Sequence, residues 1–180
     1  QSKQKKGSAA GNAKDSANKL QAVINKVHAA NDIDEIMLEV SKDICALFNA
    51  DRLTIFSLDE DKAFFVSRVK AGFDSFQDLR LPVAENSIIG FSGLQKRIIN
   101  IEDVYNKSEL KKINSGLVFS HEVDKRTGYR TKQMLTVPIL HADSQELMGM
   151  VQVINSKNNQ PFSAEIVDEV ADISRALAIA

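Results

Sequence analysis

The sequence predicts an α+β domain, in which an antiparallel sheet is covered on one face by helices from both ends of the chain. Strand-like segments occur in consecutive pairs joined by short polar turns, which is typical of hairpins and not of parallel βαβ units. Apolar residues with helical spacing are concentrated near the two chain ends. Between the strand pairs lies a mixed crossover of short helices and loops.

The size and composition of the chain are those of one ordinary globular domain, with 180 residues, 43% of them hydrophobic and 26% charged. The net charge of −1 gives no electrostatic basis for nonspecific binding to nucleic acid or to an anionic membrane. No apolar run approaches the roughly 18 residues that a membrane span requires. The single cysteine, Cys45, lies in an apolar helical pattern, so we expect a buried, inert thiol and a cytoplasmic location.

The N-terminal part of the chain predicts a linker followed by two helices. Residues 1–14 lack large apolar side chains, so we predict a flexible linker or a leftover of cloning there, and a single domain over 15–180. Asp32, with Glu35 three residues later, resembles a capping box and predicts the start of a second helix that runs to Phe48. The first helix has apolar residues at the i, i+3, i+4, i+7 spacing, namely Leu20, Val23, Ile24 and Val27.

Period-two and β-rich apolar patterns predict the strands, and capping residues predict the remaining helices. Ser87 precedes a short glycine-containing helix, residues 109–113 a second short helix, and residues 114–130 a polar loop. Ser163 caps a last helix, whose pattern runs to the final residue, so we expect that helix to continue in a longer chain. The predicted strands are residues 52–58, 63–70, 79–83, 98–101, 134–140 and 147–154.

Residue spacing gives no support for metal or enzyme chemistry. The three histidines, at positions 28, 121 and 141, are not at ligand spacing, and there is no second cysteine. The sequence has no glycine-rich phosphate loop and no nucleophile elbow. We therefore expect a domain without catalysis, metal or a defined cofactor.

The most informative segment is residues 124–139, where a charged turn passes through Thr127 and Thr131 into an apolar strand. Side chains at such a loop-to-strand junction commonly lie at the rim of a pocket. From about residue 18 to 180, this and four further segments resemble a GAF domain of the type found in cyclic-nucleotide phosphodiesterases. The other segments are residues 52–59, 82–91, 98–105 and 147–155.

The resemblance implies a GAF/PAS-like fold whose crossover roofs a ligand pocket. In cyclic-nucleotide-binding members, the positions that match Thr54, Ile89, Asp124, Thr127, Thr131 and Gln152 face the ligand. We add the helix N-terminus at Ser87, Ile88 and Gly90 as a phosphate site, and Phe73, Phe91 and Tyr105 as rings that stack on a base. The alternative is structural: Thr127 and Gly128 form a turn, Thr131 is a strand residue, and Phe91 is core.

One departure from the phosphodiesterase-type pattern concerns an ion pair between the last strand and the last helix. Asn155 is followed by Ser156, so the lysine is displaced to Lys157, and the acidic pair Asp168 and Glu169 comes two residues late. Other activities of the family also lack support. Members that reduce free methionine sulfoxide use several cysteines, bilin-binding members carry a cysteine near the chromophore, and His121 is the one faint candidate for a haem ligand.

These observations predict a regulatory sensor domain attached to an effector domain, with cyclic AMP or cyclic GMP as the best guess for the ligand. The alternative is a module without a ligand that forms a homodimer through the terminal helices. Those helices equally fit a role in which their apolar faces cover only their own sheet.

Overall fold

The computed structural model describes residues 6–29, 41–71 and 79–179. Within these ranges, six strands form an antiparallel sheet of order β3-β2-β1-β6-β5-β4. The strands are β1 (Ala50–Leu58), β2 (Phe64–Ala71), β3 (Arg80–Pro82), β4 (Ile99–Ile101), β5 (Met134–Leu140) and β6 (Leu147–Ser156). The helices are α1 (Lys6–His28), α2 (residues 41–47), α3 (Ile88–Leu94), α4 (Lys107–Ile113), α5 (Glu122–Thr127) and α6 (Ala164–Ile179). The predicted α+β architecture is confirmed.

One face of the sheet is covered by α1, α2 and α6. Val23 and Val27 of α1, Ile44 of α2 and Ile173 of α6 are buried in a single core. Helix α6 begins after Ser163, whose Oγ accepts from the backbone N–H of Ile166 at 3.3 Å. The helices nearest the two chain ends therefore pack on one sheet face, as predicted. The central strands contribute Leu53, Ile55, Leu135, Val137, Val151 and Val153 to this core.

The opposite face, which we call the crossover face, is covered by α3 and α4 and by the segments around α5. Two apolar clusters lie there. One includes Ile88, Ile101 and Met134, and the other includes Phe56 and Met150. Because α3 contributes to both clusters, it lies across the middle of this face. None of the helices in the described ranges combines the length and apolar character that a membrane span requires.

Two predicted boundaries differ from the structure. Helix α1 begins at Lys6 and not at Asp15, because alanine and lysine favour a helix without giving the apolar period that would mark its start. The predicted loop 114–130 contains α5, which is six residues long and too short to show a period. The start of the second predicted helix, at Asp32, lies outside the described residues. The division into a linker over 1–14 and a domain over 15–180 stays a prediction.

Candidate ligand-binding site

A row of polar residues crosses the three central strands on the crossover face. Thr54 of β1 pairs with Gln152 of β6, which pairs with Thr136 of β5. Paired residues in an antiparallel sheet point to the same face. The neighbouring row of paired residues, Leu53, Val153 and Leu135, lies in the core under α1 and α6. Successive residues of a strand point to opposite faces, so the polar row points to the crossover face. Thr54 is 1% exposed, Gln152 8% and Thr136 0%, so all three are buried.

The polar row has unused hydrogen-bonding capacity. The hydroxyl of Thr136 is buried and has no hydrogen-bond partner among the described residues. The carboxamide of Gln152 makes one weak bond, from Nε2 to the sulfur of Met134 at 3.6 Å. An unpaired buried hydroxyl costs about 1–3 kcal/mol, so it is a rare feature of a core. The row therefore offers a few polar groups between two apolar clusters, which is the usual chemistry of a small-molecule site.

Helix α3 forms an apolar wall beside this row. Ile88 and Phe91 lie in the cluster around Ile101, and Ile89 lies in the cluster around Phe56. The order of apolar residues along this short helix therefore joins the two clusters over the polar row. Phe91 is a core residue in this arrangement, as the structural alternative predicts.

The N-terminus of α3, the predicted phosphate site, is held by its own cap. The Oγ of Ser87 accepts from the N–H of Gly90 at 3.0 Å and donates to the carbonyl of Ala84 at 3.1 Å. A Cβ on Gly90 would lie 1.9 Å from that carbonyl oxygen, so only glycine allows this close approach. The Gly90 amide is therefore already bound within the protein.

Asp124 is the centre of a second polar group, at the edge of the crossover face. Its Oδ2 accepts from the Tyr105 hydroxyl at 2.6 Å and from the Thr131 N–H at 2.9 Å, and its Oδ1 accepts from the Thr131 hydroxyl at 2.8 Å. The hydrogen bond to Asp124 raises the pKa of Tyr105 above its usual value. The Arg130 guanidinium carbon lies 3.8 Å from the centre of the Tyr105 ring. Three predicted site residues are thus brought together, because Tyr105 and Thr131 both bind Asp124.

Thr127 takes part in neither of these two groups. Thr127 is exposed, and its hydroxyl donates to the carbonyl of Val123 one turn earlier, at 2.7 Å. Gly128 follows with a φ of +73° and ends α5, so this part of the loop forms a turn. Phe73 lies outside the described residues.

Sequence reasoning missed a third polar group, centred on Tyr129. The Tyr129 hydroxyl donates to Asp51 Oδ2 at 2.6 Å and accepts from Asn155 Nδ2 at 2.9 Å. The Arg52 guanidinium carbon lies 3.4 Å from the centre of the Tyr129 ring. Burial, together with the bond to Asp51, raises the pKa of Tyr129 well above its usual value. Only part of the signal was present in the sequence. The sequence places Arg52 and Asn155 at the ends of predicted strands, but no sequence pattern indicates that these ends lie next to Tyr129.

The region of the displaced lysine is held by amide groups and not by an ion pair. Among the described residues, Lys157 pairs with neither Asp168 nor Glu169. Asn155 Oδ1 accepts from the N–H of Lys132 at 2.7 Å, and Asn155 Nδ2 donates to the carbonyl of Arg130 at 2.8 Å. Asn155 therefore ties the end of β6 to the segment that leads into β5.

Comparison with known proteins identifies the family. A family model for the GAF domain matches residues 32–180. The dual 3′,5′-cyclic-AMP and -GMP phosphodiesterase 11A of Takifugu rubripes is 28% identical over 152 residues, which cover 78% of this chain. The chain spans only 16% of the length of that relative.

Two solved structures share the fold at low sequence identity. The GAF domain of a phosphoenolpyruvate-protein phosphotransferase from Coxiella burnetii aligns with a TM-score of 0.74 and 22% identity, over 93% of each chain. The free methionine-R-sulfoxide reductase of Neisseria meningitidis, in complex with its substrate, aligns with a TM-score of 0.65 and 12% identity, over 91% of this chain and 86% of that one. The sheet order, the crossover over one face and the family match agree, and the chain belongs to the GAF domain family.

Proposed function

We propose that this domain is a non-catalytic sensor that binds a small organic ligand on the crossover face. GAF domains are regulatory and sensor modules found attached to effector domains. The observation that carries the proposal is the buried hydroxyl of Thr136, which has no partner within the described ranges and lies in line with Gln152 and Thr54. A ligand that supplies hydrogen-bond partners to this row would offset the desolvation cost of the buried Thr136 hydroxyl. The domain would then transmit its occupancy to the attached effector domain.

The ligand that we propose is cyclic AMP or cyclic GMP. The relative from Takifugu rubripes is named as a phosphodiesterase of both nucleotides, and its similarity spans most of this chain. A purine edge carries both donors and acceptors, which match a carboxamide flanked by two hydroxyls. In this proposal Gln152 reads that edge, and the strand pairing that supports it sets Thr54 and Thr136 on its two sides. Asp124 and Thr131 are engaged with each other, so they support the wall of the site in this arrangement.

Thermal unfolding with each nucleotide tests this proposal. A ligand at about 100 times its Kd adds about 2.7 kcal/mol, which is roughly 5–10 °C in Tm for a domain of this size. Gln152→Leu should abolish the shift, and Gln160→Leu, at an exposed turn position, should retain it. The absence of a shift with both nucleotides, or equal shifts in the two variants, would contradict the proposal.

A second candidate function is self-association, since GAF domains often dimerise, and the terminal helices are the surface that we propose for it. Ile179 of α6 is 71% exposed, and α1 packs along α6. Light scattering on the 19.9 kDa chain should then give twice that mass, and Ile179→Glu should restore the monomer. Val23 also lies on the apolar face of α1, but it is buried in the core. Val23→Glu would therefore unfold the domain and could not test for a dimer. A monomer at all concentrations would exclude this function for the isolated chain.

We propose no catalytic role for the chain. Some proteins of this fold are enzymes, as the methionine sulfoxide reductase structure shows. A reductase cycle through protein thiols needs at least two of them, and this sequence has one cysteine. The partly buried Cys45 thiol also suits the proposed cytoplasmic location.

A further inference from the structure

Two junctions of the same chemistry hold residues 114–133, which we call the α5 segment. In each junction, an aspartate accepts from a tyrosine hydroxyl at 2.6 Å, and an arginine guanidinium lies over the tyrosine ring. The inner junction consists of Asp124, Tyr105 and Arg130. The outer junction consists of Asp51, Tyr129 and Arg52.

The inner junction faces the candidate site. Tyr105 follows β4 and packs against the apolar cluster that contains Met134, whose sulfur contacts Gln152. Both Asp124 and Arg130 belong to the α5 segment, so this junction joins the segment to the crossover. The Val104 N–H adds a bond to the carbonyl of Lys132 at 3.0 Å. The inner junction therefore fixes the α5 segment against the roof of the site.

The outer junction joins the same segment to two strand ends. Asp51 and Arg52 lie at the start of β1, directly after α2, and Asn155 lies at the end of β6. One tyrosine hydroxyl contacts both ends, since it donates to Asp51 and accepts from Asn155. A tyrosine hydroxyl is protonated in the physiological pH range, and burial raises the pKa of Tyr129 further, so this hydroxyl remains a donor.

The two strand ends lead into the helical layer, by which we mean α1, α2 and α6 on the sheet face opposite the crossover face. Ala50 pairs with Ser156, and the N–H of Lys157 donates to the carbonyl of Asn49 at 2.9 Å. The chain then enters the helical-layer core at Phe162, two residues before α6 begins. A displacement of these strand ends therefore changes the positions from which α2 and α6 depart.

We propose that Tyr129 is the positioning residue that couples the α5 segment to the helical layer, whereas the Tyr105–Asp124 junction closes that segment over the site. The functional role of this coupling rests on the proposed sensor function. The contacts that produce it are formed by the protein without a ligand. Movement of the α5 segment acts on Asp51 through this hydroxyl, and on Asn155 through the same hydroxyl together with the bonds of Asn155 to Arg130 and Lys132. A site can influence a distant element only through such differential contacts.

Hydrogen exchange without ligand tests this coupling in two matched variants. Tyr129→Phe keeps the ring under Arg52 and removes only the hydroxyl, and Tyr105→Phe does the same at the inner junction. In Tyr129→Phe, exchange should accelerate by about fivefold or more in residues 114–133 and 50–53. The acceleration should be smaller in residues 153–163, because Asn155 keeps its bonds to Arg130 and Lys132. In Tyr105→Phe, the acceleration should be confined to residues 102–133. The proposal is overturned if Tyr129→Phe leaves the two strand ends unchanged, or if both variants accelerate them equally.

The same variants with cyclic nucleotide separate the coupling from binding. Tyr129→Phe should keep the Kd within about twofold but lose the ligand-induced protection of α6, because closure and transmission use different junctions. Tyr105→Phe should weaken binding by about tenfold and retain that protection at saturation. Full protection of α6 in Tyr129→Phe would overturn the proposal. If neither nucleotide binds the wild type, the proposed ligand is wrong, and the ligand-free exchange experiment still decides the role of Tyr129.

Discussion

The hydroxyl of Tyr105 donates to Asp124 at 2.6 Å, and this contact joins two residues that the sequence predicts to face a ligand. The same carboxylate also accepts two hydrogen bonds from Thr131. Three bonds satisfy most of the capacity of a buried carboxylate, so its interactions lie within the protein. Among the described residues, the Thr136 hydroxyl has no partner and the Gln152 carboxamide makes one weak bond, so the polar row is the part of the site with free capacity.

Replacing Asp124 by alanine should destabilise the domain. The change leaves the Tyr105 hydroxyl and two donors of Thr131 without their partner, which costs about 1–3 kcal/mol. Thermal unfolding should show a Tm lower by roughly 2–10 °C. Asp143→Ala is the matched control, since Asp143 is exposed and its carboxylate makes no hydrogen bond among the described residues. Equal Tm values for the two variants would show that the Asp124 network contributes nothing to stability.

Replacing Thr136 by valine should maintain or raise stability while it weakens ligand binding. Valine has nearly the same shape and removes a buried hydroxyl that has no partner among the described residues. The expected gain is about 1 kcal/mol in the free energy of unfolding in urea. Such an exchange of stability for function is typical of binding sites. A loss of more than about 1 kcal/mol would show that the hydroxyl has an internal partner and does not serve a ligand.

The strands could be predicted from the sequence to within two residues because they are β-rich apolar runs bounded by polar residues. The Ser87 cap was predictable for a local reason, since the hydroxyl bonds the amide three residues later. The α5 helix was not, because tertiary bonds from Tyr105 and Thr131 to Asp124 hold its six residues. Local helix propensity does not depend on such tertiary contacts, so it could not predict this helix.

The candidate site was predictable only where a residue type matched a family position. Gln152 and Thr54 were expected on that basis, and the register places them side by side. Thr136 was missed because a threonine inside a strand is an ordinary residue until its neighbours are known. Its significance depends on pairing and burial, which are properties of the sheet and not of the segment.

Gly90→Ala should destabilise the domain strongly, although alanine is the better helix former by about 1 kcal/mol. The added Cβ would lie 1.9 Å from the carbonyl oxygen of Ala84 and 2.6 Å from Ser87 Oγ. Backbone atoms cannot turn aside, so α3 must shift, and the expected loss is about 3 kcal/mol in urea unfolding. Gly116→Ala is the control, because no atom lies within 4 Å of its Cβ position. If both variants unfold at the same urea concentration, the close approach of α3 to Ala84 is wrong.

The Cys45 thiol should react slowly in the folded protein. Burial raises its pKa from 9.0 to about 11. At about pH 8, the folded state therefore holds a thiolate fraction about 100-fold smaller than the unfolded state. Alkylation by iodoacetamide should be at least about tenfold slower in the native protein than in denaturing urea. Equal rates would contradict the burial of this side chain.

The same shift fixes the sign of a pH effect on stability. The folded state binds the Cys45 proton more tightly than the unfolded state does. The contribution of this group to stability is therefore complete below pH 9.0 and is lost as the pH rises through about 11. Below pH 9.0, the urea midpoints of the wild type and of Cys45→Ala should change with pH in parallel. Above pH 9.0, the wild-type midpoint should fall further than that of Cys45→Ala.

Methyl NMR of the domain during titration with cyclic AMP and with cyclic GMP tests the central claim most directly. The methyl groups of Thr54, Thr136 and Met134 report on the polar row, and those of the exposed Thr127 and Met148 serve as internal controls. We expect saturable shifts in the first set with one of the nucleotides, while the controls remain unchanged. Shifts limited to exposed methyl groups, or none at saturating concentrations of both nucleotides, would contradict a cyclic-nucleotide site on the crossover face.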